Sequence, residues 1–202
     1  MDNVKLAIIY YSATGTNYQM AKWAEEAGKA AGAEVKLLKV EELAPEAAIA
    51  SNPLWKAHYD ATKDVPVASS DDLEWADAII FSTATRFGAY ASQLKQFIDM
   101  QGGLWAKGAL ANKVVSAMSS AQNSHGGQEA SILSLYTSLF HWGAIIAAPG
   151  YTDPVLFTTG GNPYGASATV DQDGNIVGEV KPAVEVQAKR MVDIAKRIKS
   201  GS

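Results

Sequence analysis

Leu6-Ala7-Ile8-Ile9-Tyr10-Tyr11-Ser12-Ala13-Thr14-Gly15-Thr16-Asn17 is the stretch that decides the fold. Its first half is an unbroken apolar run of branched and aromatic residues, the pattern of a strand buried on both faces. Its second half is a hydroxyl-rich turn, after which apolar residues recur at helical spacing. A strand, a short Ser/Thr turn and a helix N-terminus make a cradle for an anion. Backbone N–H groups converge there, hydroxyls add donors, and the helix dipole favours negative charge. No Lys or Arg lies in the turn. A phosphate held there is neutralised by dipoles alone, which suits a cofactor monophosphate better than a reactive triphosphate. A plainer reading is a helix cap, a role that Ser, Thr and Asn all fill. The chain has no G-x-x-x-x-G-K-[ST], which excludes a Walker-type nucleotidase. No G-x-G-x-x-G follows the first strand, which argues against a dinucleotide Rossmann fold.

Outward from this stretch, Met20, Ala24, Ala27 and Ala31 form one stripe of an amphipathic helix, and Gly32 is a suitable stop. Glu34 to Val40 reads as a second strand, Ala78 to Ser82 as a third and Lys113 to Met118 as a fourth. Ser92 to Met100 reads as a helix turning Leu94, Phe97 and Ile98 inward. Gln128 to Trp142 reads as another helix, followed by a fifth strand at Ala144 to Ala148. The last helix carries Val184, Ala188, Met191, Ala195 and Ile198 at every third or fourth position. Strands alternating with helices imply a parallel sheet covered on both faces. Two stretches exceed a normal connection: residues 46–70, with Trp55, His58 and Tyr59, and residues 149–182, where Asp173-Gly174-Asn175 reads as a hairpin turn. Connections this long are usually functional or interfacial. The whole chain, 1–202, reads as one domain with these two insertions.

Composition narrows the function. The 202 residues suffice for a full core, and 48% hydrophobic with 19% charged content is ordinary for a globular protein. A net charge of -4 without a basic cluster argues against nucleic acid as a partner. The absence of cysteine excludes disulfides, thiolate metal sites and cysteine nucleophiles, and agrees with a cytoplasmic location. No apolar segment approaches a membrane span, and no signal-peptide pattern opens the chain. His58, His125 and His141 are too scattered to imply a metal site.

In an open parallel sheet, ligands bind beyond the C-terminal strand ends. Three polar, turn-prone segments fall at that edge: Ser12 to Asn17 after strand one, Thr83 to Gly88 after strand three, and Ser119 to Gly127 after strand four. One such segment means little, whereas three at one edge make a binding site. Tyr10-Tyr11-Ser12 with its turn, Thr85-Arg86-Phe87-Gly88, Gly102-Gly103-Leu104-Trp105, Gly126-Gly127-Gln128-Glu129 and Gly160-Gly161-Asn162-Pro163-Tyr164-Gly165-Ala166 occur in this order. Together they resemble the WrbA-type NAD(P)H:quinone oxidoreductases, flavodoxin-like proteins that bind FMN, and the resemblance spans essentially the whole chain.

The resemblance implies a three-layer α/β flavodoxin-like fold with a five-stranded parallel sheet in the order 2-1-3-4-5. It also implies a homotetramer, FMN, and two-electron reduction of quinones by NADH or NADPH. By position, Ser12, Ala13, Thr14, Gly15, Thr16 and Asn17 would hold the FMN phosphate. Thr85, Arg86, Phe87 and Gly88 would flank the isoalloxazine and ribityl chain. Ser120, Ala121, Gln122, Asn123, Ser124, His125 and Gly126 would form the other wall. Trp105 and Thr14 fall where the family contacts the nicotinamide, and His141 would approach the flavin, from a helix end or a neighbouring subunit, as the catalytic imidazole. The chain departs from the family at Thr14, where relatives often carry an aromatic residue, and at Ala84, where a Pro is common. The segment from Ser119 is poorer in Gly and one residue longer.

Two functions compete. A quinone reductase needs no covalent catalyst, in keeping with a chain that shows no nucleophile–base pair, and FMN carries the redox chemistry. The alternative is a flavodoxin-type electron carrier serving a protein partner. Such a carrier needs a strongly acidic docking face, and -4 is mild for that purpose.

Overall fold

The computed structural model describes residues 3–201. In chain order it holds β1 (Lys5–Tyr11), α1 (Thr16–Ala30), β2 (Glu34–Lys39), α2 (Glu46–Ala50), α3 (Pro53–Ala61) and α4 (Ser70–Trp75). Then come β3 (Ala78–Arg86), β4 (Ala89–Tyr90), α5 (Ser92–Asp99), α6 (Gly102–Ala106), β5 (Val114–Ala121) and α7 (Gln128–Phe140). The chain closes with β6 (Ile145–Ile146), a 3-10 turn (Pro154–Phe157), β7 (Ser167–Val170), β8 (Ile176–Val177) and α8 (Lys181–Ser200).

β1 lies between β2 and β3, parallel to both, and β5 runs parallel beside β3. Alternation along β1 sorts the core into two layers. Ala7, Ile9 and Tyr11 face the layer shared with α4, α5 and α7, while Leu6, Ile8 and Tyr10 face α1 and α8. Both faces are therefore apolar, which is why this strand reads as a continuous apolar run. Each fully buried Ile or Leu here contributes roughly 1.5–3 kcal/mol. Among the described residues, no helix is long and apolar enough to cross a membrane.

The α/β flavodoxin-like fold is as expected, but the clean five-stranded parallel sheet is not. The sheet is mixed, with eight strands and the main order β2-β1-β3-β5-β7-β8. Its fifth position is split. Ile145 and Ile146 pair with Val114 and Val115, and then Pro149, which cannot donate to a ladder, ends the strand. The chain returns as β7 to pair with Ser119, Ser120 and Ala121, and folds back antiparallel as β8. Gly165 permits that return, because a Cβ there would lie 1.9 Å from the Ala117 carbonyl oxygen. Residues 46–70 are likewise mostly helical, holding α2, α3 and the start of α4, rather than one long loop. The Asp173-Gly174-Asn175 turn does join two strands, with Gly174 at φ +88°.

Candidate cofactor site

The three polar turns meet. A cavity of about 500 Å³ lies across the C-terminal strand ends, lined from β1 by Ser12, Ala13, Thr14, Thr16 and Asn17. Ala84, Thr85 and Arg86 enter it from β3, and Ser120, Ala121, Gln122, Asn123 and Gly126 from β5. Its volume falls within the range of small-molecule and cofactor sites.

The β1 turn is closed by Ser12, whose Oγ accepts from the Gly15 N–H at 3.0 Å. Gly15 sits at φ +100° and gives α1 no side-chain cap. The first-turn amides of α1 therefore have no intrahelical acceptor and leave an anion cradle at the helix end. A Cβ on Gly15 would meet only the His58 ring, with Nδ1 nearest at 3.5 Å, so the backbone angle rather than crowding demands glycine.

Asn17, almost wholly buried, fixes this turn to the sheet. With its amide oriented to suit its neighbours, the oxygen accepts from Ser120 Oγ at 2.8 Å and the Ala84 N–H at 3.0 Å. The nitrogen donates to Ser82 Oγ at 3.3 Å and the Thr83 carbonyl at 3.1 Å. One side chain thus ties the ends of β1, β3 and β5 into a single edge.

The opposite wall is built around α7. Its N-terminal Gly127, at φ +93°, leaves that helix without a side-chain cap as well. Ser131 Oγ donates to Thr85 Oγ1 at 2.6 Å, locking the β3 end against α7. The β5 turn folds about Asn123, whose Oδ1 accepts from the His125 N–H at 3.0 Å and whose carbonyl accepts from Gly126 N–H and Gln128 Nε2.

Among the lining residues Arg86 is the one cation and Asp171 the one carboxylate. Hydrogen bonds from Asn175, with help from the Asp173 and Gly174 backbone, hold the Asp171 carboxyl below the usual range. Next to the cavity, burial and the Glu42 carboxylate push the Tyr11 phenol up, and Arg86 pulls it back down. Glu42 accepts from Tyr11, Trp55 and Gln93, which ties α3 and α5 to the end of β1.

Residues 4–152 match the family described as NADPH-dependent FMN reductase. The chain belongs to this family. Membership makes the chain an oxidoreductase and FMN its cofactor. A protein of Deinococcus radiodurans named NAD(P)H dehydrogenase (quinone) is 53% identical over 195 residues, covering 96% of this chain and 97% of the relative. A protein of the same name from Brucella abortus (strain S19) is 44% identical over 176 residues, 85% of this chain and 86% of the relative. The crystal structure of a flavodoxin, WrbA-like protein from Agrobacterium tumefaciens superposes with a TM-score of 0.64 at 16% identity, over 96% of this chain and 99% of that one. Fold and family together make this a WrbA-type flavodoxin-like member of the FMN reductase family.

Not every expected residue reaches the cavity of this family member. Gly15, Phe87, Gly88, Ser124 and His125 belong to the converging turns but are not among the lining residues. Thr85 to Gly88, read as a turn-prone segment, forms a tight hairpin. Phe87 and Gly88 connect β3 to the antiparallel β4, both at positive φ (52° and 79°). Such a backbone is strained for a bulky residue, and it holds the Phe87 ring fully exposed.

Trp105 and His141 do meet, with Trp105 Nε1 donating to the His141 carbonyl at 2.8 Å. That pair sits where α7 ends, whereas the cavity lies at its start. A 13-residue helix is roughly 20 Å long, so within one chain neither side chain reaches the cavity. Gly102 and Gly103 begin α6, and Trp105 is exposed from that short helix.

Sequence reasoning missed the third side of the site. Asn52, Leu54 and Trp55 from the start of α3, and Val170, Asp171, Gln172 and Gly174 from the β7–β8 hairpin, also line the cavity. A Cβ on Gly174 would lie 3.2 Å from Leu54 Cδ1, so the two insertions touch across the α1 end. The only sequence signal was the length of both stretches and the Asp-Gly-Asn turn.

Proposed function

We propose that the chain is an FMN-dependent NAD(P)H:quinone oxidoreductase that takes hydride from NADH or NADPH and passes two electrons to a quinone. The observation that carries this reading is the convergence of three polar turns on the uncapped N-terminus of α1. The names of the full-length relatives supply the donor and acceptor classes. Ser12 to Asn17 hold the phosphate, through backbone amides and the Thr14 and Thr16 hydroxyls. Thr85 to Gly88 and Ser120 to Gly126 flank the ring system and ribityl chain. Bound FMN supplies the redox chemistry, and the protein supplies position, electrostatics and access.

The substrate slot needs a second copy of the chain. Trp105 and His141 lie a helix length from the cavity; Trp105, Phe140 and Met100 are exposed apolar side chains on this flank, and Phe87 is exposed beside the cavity rim. We assign the assembly as a homotetramer in the cytoplasm, with Trp105 and His141 of a neighbouring copy forming one wall of the slot. The exposed, stacked pair Tyr151 and Phe157, 4.8 Å apart, adds apolar surface from the second insertion. Nicotinamide and quinone use this one slot in turn, and the His141 imidazole hydrogen-bonds the quinone oxygen where negative charge develops. The test is steady-state turnover of benzoquinone with NADH and with NADPH by the FMN-loaded chain. Parallel double-reciprocal lines are expected. Absence of turnover refutes the reductase, and intersecting lines refute the shared slot.

A further inference from the structure

The Ser12–Asn17 turn brings no cation of its own to a phosphate, yet a basic group stands directly behind it. The Cβ direction of Gly15 points at His58, whose Nδ1 lies 3.5 Å from that position. His58 is held there by a short stack of rings: it packs on Tyr18 at 5.5 Å, and Tyr18 packs on the buried Tyr10 at 5.2 Å. Tyr18 lies in the first turn of α1, so His58 braces both the kink of the turn and the helix end behind it. A second cavity of about 230 Å³, lined by both Ser12 and His58, separates the imidazole from β2.

We propose that His58 is a positioning residue that supplies, from behind the turn, the positive charge its residues lack, by holding a proton while a phosphate occupies Ser12 to Asn17. This inference rests on the assignment of that turn to the FMN phosphate.

The groups facing His58 agree with such a role. From β2, Lys39 is cross-strand partner to Tyr10, and its amine donates to the Thr62 carbonyl at 2.6 Å and the Lys63 carbonyl at 3.3 Å. From β1 and α1 the facing groups are the phenols of Tyr10, Tyr11 and Tyr18; burial pushes the first two upward, so they are neutral. Beyond β2 stand Glu41 and Glu42, the latter committed to Tyr11, Trp55 and Gln93. On α3 itself, Tyr59 shares the cavity, while Asp60 pairs with Lys56 and Lys63. Burial, then the Lys39 ammonium, hold the imidazole below its ordinary range and keep it neutral. A phosphate dianion on the far side of Gly15 opposes both effects. A proton then moves from solvent to the imidazole as the cofactor binds.

The experiment is FMN titration of the full chain between pH 6.5 and 8.5, with riboflavin, which lacks the phosphate, in parallel. By linkage, a group that gains a proton on binding strengthens binding as pH falls towards the histidine range. The second ionisation of a phosphate monoester lies near 6, so FMN stays largely dianionic over this window. The expected result is an FMN Kd several-fold weaker at pH 8.5 than at 6.5. It should be flat for His58→Gln, and riboflavin should be flat for both proteins. The NMR titration of the His58 ring in the unmodified chain should move to higher pH when FMN is added, a readout that needs no variant. A ring titration that FMN leaves in place overturns the proposal, as does an equal FMN pH dependence in His58→Gln. Failure of FMN to bind at any pH overturns the phosphate assignment itself, so the two failures are distinguishable.

Discussion

At the α1 end, β1, β3, β5, α3 and the β7–β8 hairpin of one chain wall the cavity, whereas at the far end of α7 the same chain leaves aromatic side chains in the open. Around the Ser12–Asn17 turn, Asn17 is nearly inaccessible with its amide fully paired, and α3 touches the β7–β8 hairpin. On the other flank Trp105 stands more than half exposed beside the end of α7, and at the cavity rim between them Phe87 is held out on a strained hairpin. A group meant to stay bound calls for satisfied, preformed walls. On the proposed function, a slot that admits one substrate and then another takes a wall from another copy. On that reading the two ends divide the work: one retains the cofactor, and the other completes the reaction site by assembly.

Substitutions at the two ends should separate binding from turnover. Gly15→Val forces a β-branched residue to φ +100°, which costs about 1–3 kcal/mol in backbone strain. If that strain falls on the bound turn, FMN affinity drops up to roughly 100-fold, read by fluorescence titration, with the far-UV spectrum unchanged. Unaltered affinity in a folded variant would move the phosphate away from this turn. Asn17→Ala leaves buried groups on β3 and β5 unpaired and should lower unfolding free energy by about 1–3 kcal/mol in urea melts.

At the open end the expected pattern reverses. Trp105→Ala should leave FMN affinity as it is and slow both half-reactions by roughly 3- to 10-fold, the worth of an aromatic stacking contact. His141→Ala should slow quinone reduction more than reduction by NADH, seen in separate stopped-flow half-reactions. Phe87→Gly has the smallest effect on stability. Relief of left-handed strain, roughly 1–2 kcal/mol, is partly offset by the added freedom of glycine in the unfolded chain. Its melting temperature should hold or rise slightly while turnover falls.

The closed end was largely readable from sequence because its parts are local. A two-face-buried strand, a hydroxyl-rich turn and a helical stripe are contiguous in Leu6 to Ala31, and their periodicities specify the geometry. The convergence of Ser12 to Asn17 with Thr85 and with Ser120 to Gly126 followed from the sheet-edge rule for parallel sheets. What stayed hidden depended on distant pairing. The split fifth strand requires β7 to find β5 after the chain has left at Pro149, and no local period marks that return. Leu54 and Gly174 meet across 120 residues of sequence, so neither could be assigned to the cavity beforehand. The Phe87 hairpin was hidden for another reason: a bulky residue at φ 52° breaks the Asn/Gly preference by which such turns are recognised.

The division between the ends is tested most directly by dilution. With FMN held in excess, the chain is diluted through the range where light scattering shows the assembly coming apart, while bound flavin and benzoquinone turnover are followed on the same samples. The account predicts that flavin stays bound to the separated chains and that turnover per flavin collapses with the assembly. Constant turnover per flavin in the monomer would contradict it.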